Sequence, residues 1–320
     1  MLRNLFLLIM LHSFSSFASE EESKEMGETI IVHPNPEDDW LFGFHDTISD
    51  SVFGSAVWFD KFFATDEDEE LLPETLARIR LGYEPRAREF DVFSQRFRLR
   101  LRLPHLENKV DLILTDEEDG EDTDQIEASR TLTGDSLDDS FTAAIRVVNV
   151  DKFSKFVDSR IGISGGDIFA KVRAKFQSDS PQIHVFKFQP SIFYYLDDGF
   201  GTRLFFEYDY NFAEQQQFRA NYSIRTSEAF DGYRWRNGYY YLQQHDRYTA
   251  TALGFVVKGE DNGDNGYEVE NYTLSYRYRV NTYRRWLYFE IEPFIEWPED
   301  QSYKTTPGIA LRVEGYFKDN

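Results

Sequence analysis

Arginine at every second position is the pattern in this chain that most directly implies chemistry. Arg96, Arg98, Arg100 and Arg102 alternate with Phe97, Leu99, Leu101 and Leu103, and Arg78 and Arg80 alternate with Ile79 and Leu81. A period of two puts successive residues on opposite faces of a strand, so each stretch has one guanidinium face and one apolar face. Near the end the spacing recurs with mixed sign: Arg277 and Arg279, then Glu290, Glu292 and Glu296, then Arg312 and Glu314. Carboxylates and guanidinium groups on neighbouring strands form bidentate, charge-assisted pairs. Arginine beyond what those pairs consume would favour anions wherever the face lines an aqueous path. The two readings of these residues are therefore a braced wall and an anion-attracting one.

Catalytic patterns are much poorer. Beyond the leader the histidines are His33, His45, His105, His184 and His245, and none is followed closely by a serine nucleophile with an Asn or Asp to orient the imidazole. His184 alternates with apolar residues and is expected on a lipid-facing or interfacial surface, and His245-Asp246 falls at a turn. The sequence has no glycine-rich phosphate loop and no histidine cluster. With no cysteine there are neither disulfides nor thiolate metal sites. No cofactor and no bound metal are expected. Asp119-Gly120-Glu121-Asp122-Thr123-Asp124 is rich in hard oxygen ligands but lacks the ordered spacing of a calcium loop, and reads as part of a solvated outer loop. Asp261 to Gly266 reads as a hairpin loop with two Asn/Asp-Gly turns.

The elements that must position these charges follow from the same period. Alternating segments fall near 75–83, 96–103, 107–115, 139–149, 156–164, 168–177, 183–196, 201–212, 216–226, 232–243, 247–258, 267–280, 285–297 and 306–317. Most have the length of a strand that crosses a bilayer at a steep tilt. The charged face is too dense for a sandwich core. The other face is apolar, as in Ile168, Ala170, Val172, Ala174 and Phe176, or Leu204, Phe206, Tyr208 and Tyr210. Aromatics make up 17% of the chain while its mean hydropathy is only −0.55, a profile suited to strands that expose half their residues to lipid. The expected fold is an all-β, antiparallel, up-and-down transmembrane β-barrel over 73–320, with about fourteen strands, or twelve without the weaker segments 107–115 and 156–164. Brief connections at Pro104-His105, Ser180-Pro181 and Thr282-Tyr283 alternate with more polar ones, the longest from Asp116 to Asp138, which places the longer loops outside if the N-terminus is periplasmic.

Ahead of the barrel the sequence divides into three. Residues 1–18 read as a cleaved secretory signal: Arg3, an apolar run from Leu5 to Leu11, and Ser16 and Ala18 at the small positions of a cleavage site. Residues 19–43 are acidic, aperiodic and proline-bearing, and are expected to be disordered. In 44–72, Phe44, Ile48, Val52, Phe59 and Phe63 recur at helical spacing, and the acidic residues Asp66 to Glu70 follow. That amphipathic helix is expected in the periplasm, where it could enter the barrel mouth as a plug and set its acidic flank against the arginines. With Lys61 its one basic residue, the segment is short of the Lys and Arg that helices lying on membrane surfaces carry.

The final segment presents Ile309, Leu311, Val313, Gly315 and Phe317 on one face. It resembles the C-terminal signal by which barrel-assembly machinery recognises its substrates, with Lys318-Asp319-Asn320 extending past the aromatic residue. Three further stretches resemble a group of uncharacterised outer-membrane β-barrel proteins of marine and related gammaproteobacteria: Val57-Trp58-Phe59-Asp60-Lys61-Phe62-Phe63, Tyr194-Tyr195-Leu196-Asp197-Asp198-Gly199-Phe200-Gly201, and Phe289-Glu290-Ile291-Glu292-Pro293 through Trp297-Pro298 to Pro307-Gly308. The resemblance implies an outer-membrane barrel and carries no activity with it.

The expected partners are outer-membrane lipid and lipopolysaccharide, the barrel-assembly machinery and a small anionic solute. A net charge of −22 argues against nucleic acid. Passage of small solutes with an anion bias is the leading function. The alternatives are a structural or surface-interaction barrel, its lumen closed by Arg–Glu pairs and the N-terminal helix, and, third, an outer-membrane enzyme. Because inward arginines outnumber inward acids in the sequence, the compensating acid is expected in the N-terminal segment and the outer loops.

Overall fold

The computed structural model describes residues 62, 76–90, 92–102, 110–115, 141–152, 155–178, 183–263, 266–281 and 286–318. The strands are β1 (Leu76–Tyr83), β2 (Phe93–Arg102), β3 (Val110–Thr115), β4 (Thr142–Lys152), β5 (Lys155–Ser164), β6 (Asp167–Gln177) and β7 (His184–Tyr195). They continue as β8 (Gly199–Ala213), β9 (Gln216–Ser227), β10 (Phe230–Asp246), β11 (Thr249–Asp261), β12 (Tyr267–Asn281), β13 (Leu287–Pro298) and β14 (Thr306–Lys318). Each strand pairs antiparallel with its chain neighbours, and β14 returns to pair with β1, so the sheet closes on itself. Both weaker segments form strands, β3 and β5, and the count is fourteen. Closure satisfies the backbone groups that an open edge would leave unpaired.

The pleat sorts the side chains as their alternation requires. Ile161, Phe186 and Leu253 are 60%, 59% and 46% exposed on the outer face, while Arg146, Arg277 and Glu292 are at most 1% exposed on the inner one. Pro190 in β7 and Pro293 in β13 lie inside strands that have neighbours on both sides. The registers β6–β7 and β12–β13 each skip two residue pairs there and resume unchanged beyond, because proline offers the ladder no N–H.

The connections β2–β3, β4–β5, β6–β7, β8–β9, β10–β11 and β12–β13 share one end of the barrel, and the remaining connections share the other. At that second end β5–β6 and β9–β10 are joined by tight turns, Gly165-Gly166 and Glu228-Ala229. The acidic loop from Asp116 to Asp138 lies outside the described residues. So do residues 1–43 and all of the expected helix except Phe62, including Phe44, Ile48, Val52, Phe59 and Phe63.

Candidate functional site on the inner wall

The closing seam gathers most of the charges singled out in the sequence. Register alone places Glu290 opposite both Arg279 and Arg312, and Glu314 opposite Arg80. The side chains complete the network. Arg277 Nη2 lies 3.1 Å from Glu292 Oε2, and Arg312 Nη1 lies 2.6 Å from the same oxygen and also bonds Glu290. Arg279 Nη1 bridges Glu290 and Glu314 at 3.2 and 2.8 Å. Glu314 also holds Arg80 at 3.0 Å and Arg78 at 3.3 Å, and accepts a hydrogen bond from the Tyr316 hydroxyl at 2.9 Å. All of these guanidinium and carboxylate groups are buried, and buried charges are tolerated when paired and hydrogen-bonded in this way.

On β2 the arginines meet arginines: Arg98 is opposite Arg78, and Arg96 is opposite Arg80. Arg100 is buried, and Arg96 and Arg98 are half-buried. Arg102 ends β2 opposite Asp111, its side chain outside the described set. Glu296 lies nearer the rim, 3.5 Å from Arg86. Val313 and Phe317, the residues resembling an assembly signal, are exposed on the outer face, where the Phe317 ring packs 5.3 Å from Trp286.

The structure corrects one expectation about where acid lies. Five carboxylates that the sequence reading did not place inside are buried there: Glu84, Asp111, Asp158, Glu207 and Asp209. Glu84 follows β1 and binds Arg312 at 2.7 Å. Asp111 takes Arg146 at 2.5 Å. Asp158 accepts from Arg173 and lies 3.5 Å from Arg160. Glu207 and Asp209 hold Lys187 at 2.9 Å and Arg219 at 2.7 Å. Part of the compensation is thus local, since a strand that buries a cation needs a counter-charge on its neighbour.

A second unforeseen residue is Phe62. It is 4% exposed and packs in a cluster with Tyr240, Leu242, Ala250, Ala252, Val256 and Tyr288, all on inward positions of β10, β11 and β13. Its ring meets Tyr288 edge-on, with centroids 5.8 Å apart, while the Arg279 guanidinium lies 4.5 Å from the centre of the Tyr288 ring. A residue from before the first strand is therefore seated against the inner wall. Helical spacing had singled out its neighbours Phe59 and Phe63, and spacing cannot say which side of a helix meets a wall.

The two histidines among the described residues are engaged structurally, and His33, His45 and His105 lie outside them. His184 is exposed, hydrogen-bonds the Tyr208 hydroxyl at 2.8 Å and stacks 5.0 Å from Tyr210. His245 Nε2 is 3.0 Å from the Thr251 hydroxyl, while the Asp246 carboxylate accepts the Tyr248 N–H at 2.7 Å, so each serves its own turn contact.

No protein-family model and no curated protein matches the chain. Among solved structures it is similar to the outer membrane channel DcaP of Acinetobacter baumannii, at 9% identity and a TM-score of 0.47, covering 76% of this chain and 96% of that one. It is also similar to OprB of Pseudomonas putida in its high-pH structure, at 10% identity and a TM-score of 0.49, covering 78% and 96%. A third is OmpT, an outer membrane protein of Vibrio cholerae, at 8% identity and a TM-score of 0.46, covering 76% and 97%.

Proposed function

We propose that this protein is an outer-membrane, porin-like barrel that passes small solutes and favours anions. A membrane location is supported by the outer face, which exposes large apolar side chains on nearly every strand. A soluble monomer does not leave so extended an apolar surface in water.

The observation that carries the anion bias is the charge balance on the inner face of β4 to β9. Cross-strand registers put Arg146, Arg160 and Lys171 in one row and Arg173, Arg203 and Arg225 in the next, with Ser191 between the first two of these. Lys175, Lys187 and Arg219 continue the same face, against Asp158, Glu207 and Asp209 on these strands. A low-dielectric wall with this surplus raises the local anion concentration.

The test is the reversal potential of the purified full-length protein in planar bilayers under a KCl gradient. It should lie on the anion-selective side, and Arg160→Gln with Lys171→Gln, two cations of the first row, should move it toward zero. An unchanged potential would refute the proposed charge filter.

A second reading, a lumen narrowed or closed from within, is favoured by a different observation. Phe62 occupies the inner wall, and the bulky residues Phe205, Tyr288 and Phe294 also point inward and are buried. On this reading the N-terminal segment is a plug. Deleting 19–72 should then raise single-channel conductance, and unchanged conductance would rule it out.

A further inference from the structure

On the outer face of β6 to β10 the registers set side chains in rows that run across the strands. One row is Phe176, Phe188, Phe206, Tyr222 and Asn237. The next, nearer the barrel end that carries the β6–β7 connection, is Ser178, Phe186, Tyr208, Ala220 and Tyr239. Same-face neighbours stand two residues apart along a strand, about 6.7 Å. Between these rows the wall is indented by a groove of about 530 Å³.

The floor of the groove is backbone, because the row between its walls points the other way. Lys187 and Glu207 face inward and pair at 2.9 Å, and Asn221, opposite Glu207, is buried with them. Ala220 opens the groove. Its partners on either side, Tyr208 and Tyr239, both carry rings, so a single methyl interrupts an aromatic row. The walls are packed in advance. Phe188 stacks on Phe206 with centroids 4.6 Å apart and on Phe176 at 6.2 Å. Phe186 packs 5.0 Å from Tyr208, whose hydroxyl meets His184 Nδ1 at 2.8 Å.

The groove is also slanted. Ser178 and Phe186 lie beside the β6–β7 connection, whereas Asn237 and Tyr239 lie at the middle of β10. It therefore climbs from one rim of the barrel to the middle of the wall, crossing five strands over roughly 19 Å. Neither row carries a charged side chain, so the walls match neutral hydrocarbon.

Inside a bilayer apolar surfaces gain nothing by leaving water, and a lipid stays on protein through packing. Dispersion contacts are individually tiny, so a chain touched by two walls and a floor outlasts one lying on a convex ridge. Rings that are already packed lose little freedom when the chain settles. A second barrel would present a convex wall, which cannot follow a groove one pleat wide. We propose that this groove holds one acyl chain of a membrane phospholipid, its headgroup at the β6–β7 end of the barrel. The site rests on the membrane location proposed above and is independent of whether the lumen conducts.

The experiment uses full-length protein stripped of lipid in detergent, titrated with palmitoyl-oleoyl phosphatidylethanolamine and read by native mass spectrometry. The wild type should retain one lipid per barrel. Ala220→Phe puts a ring into the groove from the outer face. It should need at least about tenfold more lipid for the same occupancy, a change of roughly 1.4 kcal/mol. Ala220→Leu, a smaller intrusion, should fall between the two. Ala170→Phe, on the exposed outer face of β6 away from the groove, should behave as the wild type.

Glycerophosphoethanolamine, the headgroup without chains, should not compete; competition by it would place recognition in the headgroup and overturn the acyl site. Equal retention by the wild type and both Ala220 variants would overturn it too. If instead the wild type forms oligomers that Ala220→Phe dissociates, the groove is a contact between copies and the lipid proposal falls. Flotation with vesicles of the same phospholipid separates the two levels. A folded barrel that does not float overturns the membrane location, whereas one that floats and shows equal retention overturns the groove alone.

Discussion

Replacing Glu292 with Gln tests whether the seam network holds the barrel shut. Glu292 is 0% exposed, and its Oε2 faces Arg277 at 3.1 Å and Arg312 at 2.6 Å. Glutamine preserves the volume and one acceptor oxygen, so the loss is almost wholly electrostatic. Removing one partner of a buried ion pair costs roughly 3–5 kcal/mol, because the charge left behind remains buried. Glu290 still serves both arginines, and Glu84 also serves Arg312. The lower end applies, and about 3 kcal/mol is expected.

The assay is reversible urea unfolding of the barrel in detergent micelles or lipid vesicles. The midpoint should fall with the slope unchanged, since the surface exposed on unfolding stays the same. The internal control is Glu270→Gln, whose ion pair with Lys258 spans 3.9 Å between side chains 40% and 50% exposed. That change should cost less than about 1 kcal/mol. If Glu292→Gln is no more costly than Glu270→Gln, the seam is not a structural brace and the reasoning from burial fails.

Three further outcomes follow from the same structure. Phe62→Ala removes a buried ring from its seat on Tyr288; proteolysis within 63–75 of the folded protein should accelerate, and an unchanged cleavage rate would contradict an anchoring role. Phe255→Arg, on the outer face midway along β11, should destabilise the vesicle-embedded barrel by roughly 2–4 kcal/mol if that face meets the bilayer midplane. A cost near zero would contradict lipid contact. Gly201→Val should displace the Phe193 ring, since its Cβ would fall 2.3 Å from that ring, and should lower the thermal midpoint of the folded barrel; an unchanged midpoint would contradict the close packing of ring on glycine.

The fold was legible because a period of two needs no knowledge of partners. Arg96 to Leu103 declares a strand and both its faces within eight residues. Even the short β3 and the Gly-bearing β5 kept enough alternation to be found. The sign of each wall was less legible. Glu207 and Asp209 alternate with Phe206, Tyr208 and Tyr210, so their inward direction was available, but the aromatic residues dominated the pattern. Glu84 and Arg86 lie in the connection after β1, where periodicity ends, and only closure of β14 onto β1 brings them to Arg312 and Glu296. The Arg203–Arg225 juxtaposition depends on the register of β8 against β9, which no feature within either strand specifies. Phe62 depends on how one segment meets a wall made by three others.

The most direct test of the account is the zero-current potential of purified full-length protein in a planar bilayer separating unequal KCl concentrations. An arginine-surplus inner wall predicts a steady conductance whose potential carries the sign of chloride preference, and that preference should weaken as added salt screens the wall. A potential of the cation-selective sign, or no conductance from protein verified as a folded barrel, would contradict it.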